Sequence, residues 1–383
     1  MTVPTAFRHN EETSSEPPGI RLRNILLVGS GGVGTIASLV LEKSRCARVT
    51  AILRSRYAVV KEKGWNIESV DHGTLKGWRP SRGEFGSQHA SLQNQTTVIT
   101  LEQRRANGKS DEVVSSVESA MEAETEPFDY VVVTTKQPPD VFSVSDLIRP
   151  TVTLGLTTVV LIQNGINIEV PVIEAFSTNT VMSSITMIGS RTEGENTIIQ
   201  LGPDIQIMGP YFHTGLERCV QAQQAREFVK IYKAGREGEE AKCTYSEEMP
   251  VARWQKLLSK ATLNTLCTLM RLDVGELLSS GDRESLLVPA MWEVHSIAKA
   301  AGAPPSQDMI PFYAYQQPDD CRYRPSMLLD LENGRPMELE VLLGLPLQIS
   351  KALGVSTPIL STVYEALKVV RWKSAQESLK QHS

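Results

Sequence analysis

Short, nearly continuous apolar runs separated by polar, turn-forming stretches make up the first half of the chain. "NILLV" (24–28), "VTAIL" (49–53), "FDYVVVTTK" (128–136) and "TTVVLIQNG" (157–165) are rich in Val, Ile and Leu. Such runs suit strands buried on both faces of a parallel sheet. "TVMSSITMIG" (180–189) and "DIQIMG" (204–209) add two strand candidates. Between the first two runs, apolar residues recur at helical spacing over about 35–44. A polar stretch at about 71–110, containing "WRPSRGEFGSQ", reads as short strands with an insertion. After Gly209 the period changes, and spacing predicts helices within 250–280, 284–301, 326–353 and 358–378. The last opens on "STP" (356–358), a capping residue followed by proline in the first turn. The pattern predicts an α/β domain followed by an all-α domain.

The turn behind the first strand gives that α/β domain a chemistry. "VGSGGVG" (28–34) fits G-x-G-x-x-G through Gly29, Gly31 and Gly34, with Ser30, Gly32 and Val33 between them. A strand precedes it, a helix follows, and the second strand candidate comes ~20 residues later, the context of a Rossmann dinucleotide site. Gly29 suits the tight turn, Gly31 lets backbone N–H groups approach a pyrophosphate, and Gly34 allows helix and strand to pack closely. An NAD site places Asp or Glu at the end of the second strand; here "ILRSR" (52–56) places Arg54 there. A guanidinium pairs with a 2′-phosphate that a carboxylate would repel, so the cofactor expected is NADPH. The resulting division is a tail at 1–20, a Rossmann NADPH-binding domain at 21–212, a polar connecting segment at 213–245, a helical substrate domain at 246–375 and a tail at 376–383.

Bulk properties narrow the partners. A chain of 383 residues with 41% apolar and 22% charged residues has the composition of a soluble globular protein. Its net charge of −5 argues against general nucleic-acid binding. No run reaches the ~18 apolar residues a membrane span needs. Cys46, Cys219, Cys243, Cys267 and Cys321 are odd in number and form no CxxC pair, which predicts reduced thiols and no metal. The first residues resemble neither a secretory signal nor a transit peptide, and "KQHS" is no peroxisomal address, so a cytoplasmic protein is expected.

One helical stretch demands a function. In "ARWQKLLSKATLNTL" (252–266), Lys256, Lys260 and Asn264 stand four apart and share one helix face. That stripe is either a wet surface or the wall of a cleft. Together with the strand "VVVTTK", the turn "LIQNG", "ARWQKL" and "PSMLLDLENGRPMELE", it resembles the ketopantoate reductase (2-dehydropantoate 2-reductase) family from about Asn24 to Val370. The resemblance implies a Rossmann domain joined to a helical domain of the 6-phosphogluconate dehydrogenase C-terminal type, with the active site between them. It also implies NADPH-dependent reduction of a small 2-oxo acid, ketopantoate, to pantoate on the way to pantothenate and coenzyme A, and it leaves a homodimer open as the assembly. By motif, Lys256 would be the general acid and Glu338 its acidic partner. Asn164 would sit by nicotinamide and substrate, Ser326 and Asn264 would bind substrate, and Lys136 would lie at the cofactor edge. Hydride delivery builds charge on the ketone oxygen, which an ammonium stabilises and quenches. A carboxylate nearby would keep that lysine charged.

The chain also departs from the family. Lys260 stands where the family commonly has asparagine, and Gln200, in "IIQLGP" (198–203), stands where it has histidine. Lys260 could pair with Glu338 or a substrate carboxylate, sit neutral, or point away. Pairing would imply a substrate with polar groups unlike those of ketopantoate. A paralogue acting on another 2-oxo acid or ketone, and an NADPH-binding regulator without turnover, remain as alternatives. The β-hydroxyacid dehydrogenases, which pair a helix lysine with asparagine four residues on, fit less well.

Overall fold

A computed structural model describes residues 21–53, 56–80, 126–136, 143–238 and 242–381. The apolar runs form the core of a seven-stranded sheet. β1 (Arg23–Val28), β2 (Ala47–Ile52), β5 (Tyr130–Val133), β6 (Thr158–Leu161) and β7 (Val181–Met187) pair in parallel, in the order β2-β1-β5-β6-β7. β10 (Ile205–Pro210) joins β7 antiparallel, and β11 (Lys242–Tyr245) closes the edge beside β10. The connecting strands β3 (Trp65–Ser69), β4 (Gly73–Trp78), β8 (Ser190–Glu193) and β9 (Thr197–Gln200) form a second sheet, in the order β4-β3-β9-β8. The insertion expected within 71–110 lies outside the described residues beyond Pro80.

Alternation along the strands divides the sheet between two cores. Ile25, Leu27, Tyr130, Val132 and Val160 pack with the helix Gly32–Lys43, through Ile36, Leu39 and Val40. Leu26, Val28, Val131, Val133, Val159 and Leu161 face the other way, into one apolar cluster with Trp254, Leu257, Leu258 and Leu266. Successive strand residues point to opposite faces. The second face is thus the floor on which the helical half of the chain is built.

The segment 213–245, expected as a polar connection, contains a long helix and a strand among its described residues. Arg218–Ala234 is a 17-residue helix that buries Ala222, Ala225, Phe228, Val229 and Tyr232, and Lys242–Tyr245 is the edge strand β11. The apolar stripe is present, but polar residues outnumber it and mask its period. The helix expected across 326–353 is broken. Ser326–Glu332 ends before Gly334, which adopts φ +63°. A π-helical turn at Glu340–Gly344 then leads into Leu345–Ala352. A left-handed glycine and Pro336 interrupt helical hydrogen bonding, and π turns concentrate at functional sites.

Candidate active site

The glycine loop joins β1 to the helix Gly32–Lys43 where the strand order reverses between β1 and β5, the ligand crevice of open α/β sheets. Gly29 adopts φ +107°, and a Cβ there would lie 2.7 Å from the Thr135 backbone nitrogen. A Cβ on Gly34 would lie 1.8 Å from the Gly29 carbonyl. At Gly31 a Cβ would meet nothing within 4 Å. Gly31 caps the helix with no side-chain hydrogen bond, and no described side chain accepts from the N–H groups of Gly32, Val33 or Gly34. An open face in front of an uncapped helix N-terminus fits a pyrophosphate. Thr134 Oγ1 donates to the Gly29 carbonyl, and Ser30 Oγ donates to the Ile52 carbonyl (3.1 Å), which ties the loop to β5 and β2. Backbone of Ser190 and Arg191 closes over Gly32, within 3.0 Å of where its Cβ would stand. Arg54 and Ser55 lie outside the described residues; half-buried Arg56 makes one long contact, to the Gly194 carbonyl at 3.5 Å.

Across the crevice, the helix Met249–Lys260 presents its stripe to the carboxyl ends of β6 and β7. Lys256 Nζ donates to Asn164 Oδ1 (2.8 Å) and to the Thr186 carbonyl (2.8 Å). Asn164 Nδ2 in turn donates to Glu338 Oε2 (2.9 Å). Three groups named from the sequence thus stand together, but Glu338 reaches the lysine through Asn164 and not directly. Gly165, φ +109°, makes that approach feasible, because a Cβ there would be 2.6 Å from Val341 Cβ. Asn164, Gly165, Arg253, Lys256, Lys260 and Leu342 line a cavity of about 10 Å³. That is room for about one water within the lining itself.

Lys260 lines this cavity with Lys256, so it does not point away, and no carboxylate among the described residues pairs with it. The consequence corrects one expectation. Burial, then the charges of Lys260 and Arg253, push the Lys256 amine well below its ordinary range, against the opposing pull of Glu338. Glu338 is outweighed because desolvation penalises the charged form.

The remaining sequence candidates are also placed. Asn264 is buried; its Oδ1 accepts from the Met327 N–H (3.2 Å), and its Nδ2 has no partner among the described residues. It thereby holds the first turn of the helix that starts at Ser326. Lys136 pairs with the buried carboxylate of Asp330, which Arg335 also contacts at 3.0 Å. Gln200 is built into the second sheet, accepting from Ser69 Oγ (2.6 Å) and donating to Asp71 (2.5 Å) and the Gly202 carbonyl (3.0 Å). Two groups escaped the sequence reading. Arg253 Nε donates to Glu169 (2.5 Å) and Ser183 Oγ (2.8 Å), and its Nη1 donates to the Gln163 and Gly165 carbonyls (2.8 and 3.1 Å). Its position three and seven residues before Lys256 and Lys260 put it on their stripe, which was the available signal. Asp330, by contrast, is 194 residues from Lys136, and no local pattern marks their pairing.

Comparison with known proteins decides the family. Residues 25–212 match the model "Ketopantoate reductase PanE/ApbA", and residues 248–371 match "Ketopantoate reductase PanE/ApbA C terminal". The chain belongs to the ketopantoate reductase family. It is 33% identical to an uncharacterized Saccharomyces cerevisiae protein, YDL144C, over 92% of this chain and 94% of that one. The crystal structure of 2-dehydropantoate 2-reductase from Methylococcus capsulatus superposes with a TM-score of 0.71 at 25% identity, covering 92% of this chain and 97% of that one. D-mandelate dehydrogenase, solved with NADH and anilino(oxo)acetate, shares the fold at TM-score 0.71 and 16% identity, covering 92% and 99%.

As a member of the ketopantoate reductase family, the chain is an oxidoreductase of that kind, with the Rossmann-like sheet and helical second half that the pattern predicted. Among the described residues, no helix is long and apolar enough to cross a membrane and no three or more His, Cys, Asp or Glu gather as a metal site. The five cysteines are free.

Proposed function

We propose that the protein reduces a 2-oxo acid to the 2-hydroxy acid with NADPH, and that Lys256 is the general acid. The observation that supports this most directly is the chain Lys256–Asn164–Glu338, whose first two members line the cavity between sheet and helices. When bound, the nicotinamide cofactor supplies the hydride to the ketone carbon. Lys256 Nζ gives its proton to the ketone oxygen as the carbonyl bond is reduced. Asn164 aims that amine, and Glu338 fixes the carboxamide of Asn164 from the other side. Asn264, through its unpartnered Nδ2, and Ser326 hold the carboxylate of the substrate. Expelling water from so small a space strengthens each of these interactions. Backbone N–H groups of Ser30 to Val33, with Gly29 and Gly34 shaping the turn, hold the pyrophosphate, and Lys136 bounds the cofactor edge.

Preference for NADPH rests on Arg54, beside Ser55 and Arg56, at the place where a carboxylate would select NADH. Ketopantoate is the substrate implied by family membership, with the pantothenate route as its setting in the cytoplasm. Cofactor consumption with ketopantoate and a panel of other 2-oxo acids, run with NADPH and with NADH, tests the reading. Turnover with NADPH, and a shift towards NADH in Arg54→Asp, are expected. Nucleotide binding without turnover of any 2-oxo acid would overturn it in favour of a regulator.

A further inference from the structure

The cleft carries more positive charge than its own acids answer. Arg253, Lys256 and Lys260 line the cavity, and no acidic residue does. Arg253 is matched by Glu169, both fully buried, and Lys256 reaches Glu338 through one carboxamide. Lys260 has neither an ion pair nor a hydrogen bond to any described residue. An ammonium facing a cramped cavity beside a second lysine stays there at a cost in repulsion. Among the described residues fold stability gives no return for that arrangement, because Lys260 pairs with none of them.

We propose that Lys260 is the specificity-determining residue of the site, selecting 2-oxo acids that carry a second carboxylate on the side chain. The proposal rests on the reductase reading above. The geometry favours a second carboxylate over the one beside the ketone. Lys260 lies one helical turn beyond Lys256, displaced by about 6 Å along the axis. The carboxylate attached to the reacting carbon stays within ~3 Å of the ketone oxygen that Lys256 protonates, and Ser326 and Asn264 supply its donors. A carboxylate two or three carbons further out spans the turn to Lys260. Its arrival also pairs the free charge and relieves Lys256 of an uncompensated neighbour, so the lysine is held protonated when the proton is needed. Asparagine at this position supplies a neutral donor suited to a hydroxyl or amide; lysine supplies a charge.

The experiment compares kcat/KM for matched substrates, 2-oxoglutarate against 2-oxopentanoate and ketopantoate, at saturating NADPH. It uses the full-length chain and the variants Lys260→Asn and Lys260→Met. Retained NADPH binding, followed by nucleotide fluorescence, establishes that each variant is folded. The wild type should favour the dicarboxylate by at least ~10-fold, the worth of one good ion pair. Both variants should lose that preference, chiefly through KM, and Lys260→Asn should improve on the singly charged acids. Equal discrimination in wild type and variants, or a wild-type preference for the singly charged acids, overturns the role of Lys260 while leaving the reductase intact. Failure of the wild type to turn over these three or any other 2-oxo acid of the panel, with NADPH bound, overturns both, whereas turnover of others but not of 2-oxoglutarate overturns the role of Lys260 alone.

Discussion

Lys256 and Glu338 do not touch: the amide of Asn164 stands between them, with its oxygen 2.8 Å from the amine and its nitrogen 2.9 Å from the carboxylate. Both ends of the carboxamide are therefore occupied, and its orientation is set by charge on either side. Lys256→Ala removes the proton donor and should lower turnover at least ~100-fold, the usual range for a positioned acid, while NADPH affinity changes little. Near-normal turnover in steady-state assays would remove Lys256 from the reaction.

The pH dependence of kcat/KM should carry the signature of the crowded cations. Lys256 acts in its protonated form, and its folded-state pKa lies well below the ordinary 10.5, through burial first and then Lys260 and Arg253. Activity should therefore be flat at low pH and fall as pH rises through that lowered value, earlier than an ordinary lysine would allow. Lys260→Asn removes a repelling charge and should move this alkaline limb to higher pH. Glu338→Gln removes an attracting one and should move it lower. Coincident limbs in the three proteins would show that neither neighbour acts on Lys256.

The two outer glycines of the loop's second half answer different demands. At Gly31 an added methyl meets open space, whereas at Gly34 it would stand 1.8 Å from the Gly29 carbonyl. Gly31→Ala should leave the thermal midpoint within a few degrees yet weaken nucleotide binding at least ~10-fold, because the methyl occupies the pyrophosphate's approach. Gly34→Ala should lower the midpoint markedly with or without nucleotide. Calorimetry on both variants with and without NADPH separates the two; equal losses of stability would refute the distinction.

Arg253 and Glu169 form an ion pair whose side chains are 1% and 0% exposed, joining the helix Met249–Lys260 to the segment behind Asn164. Removing one partner of a buried pair costs about 3–5 kcal/mol, because the other is left charged and dry. Glu169→Gln and Arg253→Ala should each lower the denaturant midpoint correspondingly. The double variant should lose less than the sum; strict additivity would mean the two side chains do not support each other.

Legibility in the sequence followed the range of the interaction. The glycine loop was readable because strand, turn and helix are consecutive, and the pair Lys256–Lys260 because four-residue spacing is local. The expected stripe stops there, since the helix ends at Lys260 and a new one starts at Leu263, which takes Asn264 off that face and away from the cavity lining. β11 and the helix Arg218–Ala234 were missed because the segment's charge hides a sparse apolar stripe, which only contact with the sheet reveals. The relay through Asn164 joins residues 92 and 174 positions apart, so a motif can name its members but not their order. The lowered pKa of Lys256 was misjudged for the same reason. Counting one nearby acid predicts a charged lysine; enclosure and two neighbouring cations reverse the balance.

The apolar cluster that starts at Leu26 and Val133 on the sheet continues unbroken through Trp254 and Leu257 into the helices. No watery seam parts the two halves along that path, so the sheet face that carries Leu26 and Val133 has no hydrophobic interior without the helices. Heat should melt the protein in a single cooperative step, and a fragment ending near Gly209 should expose the underside of its own sheet and precipitate instead of standing alone.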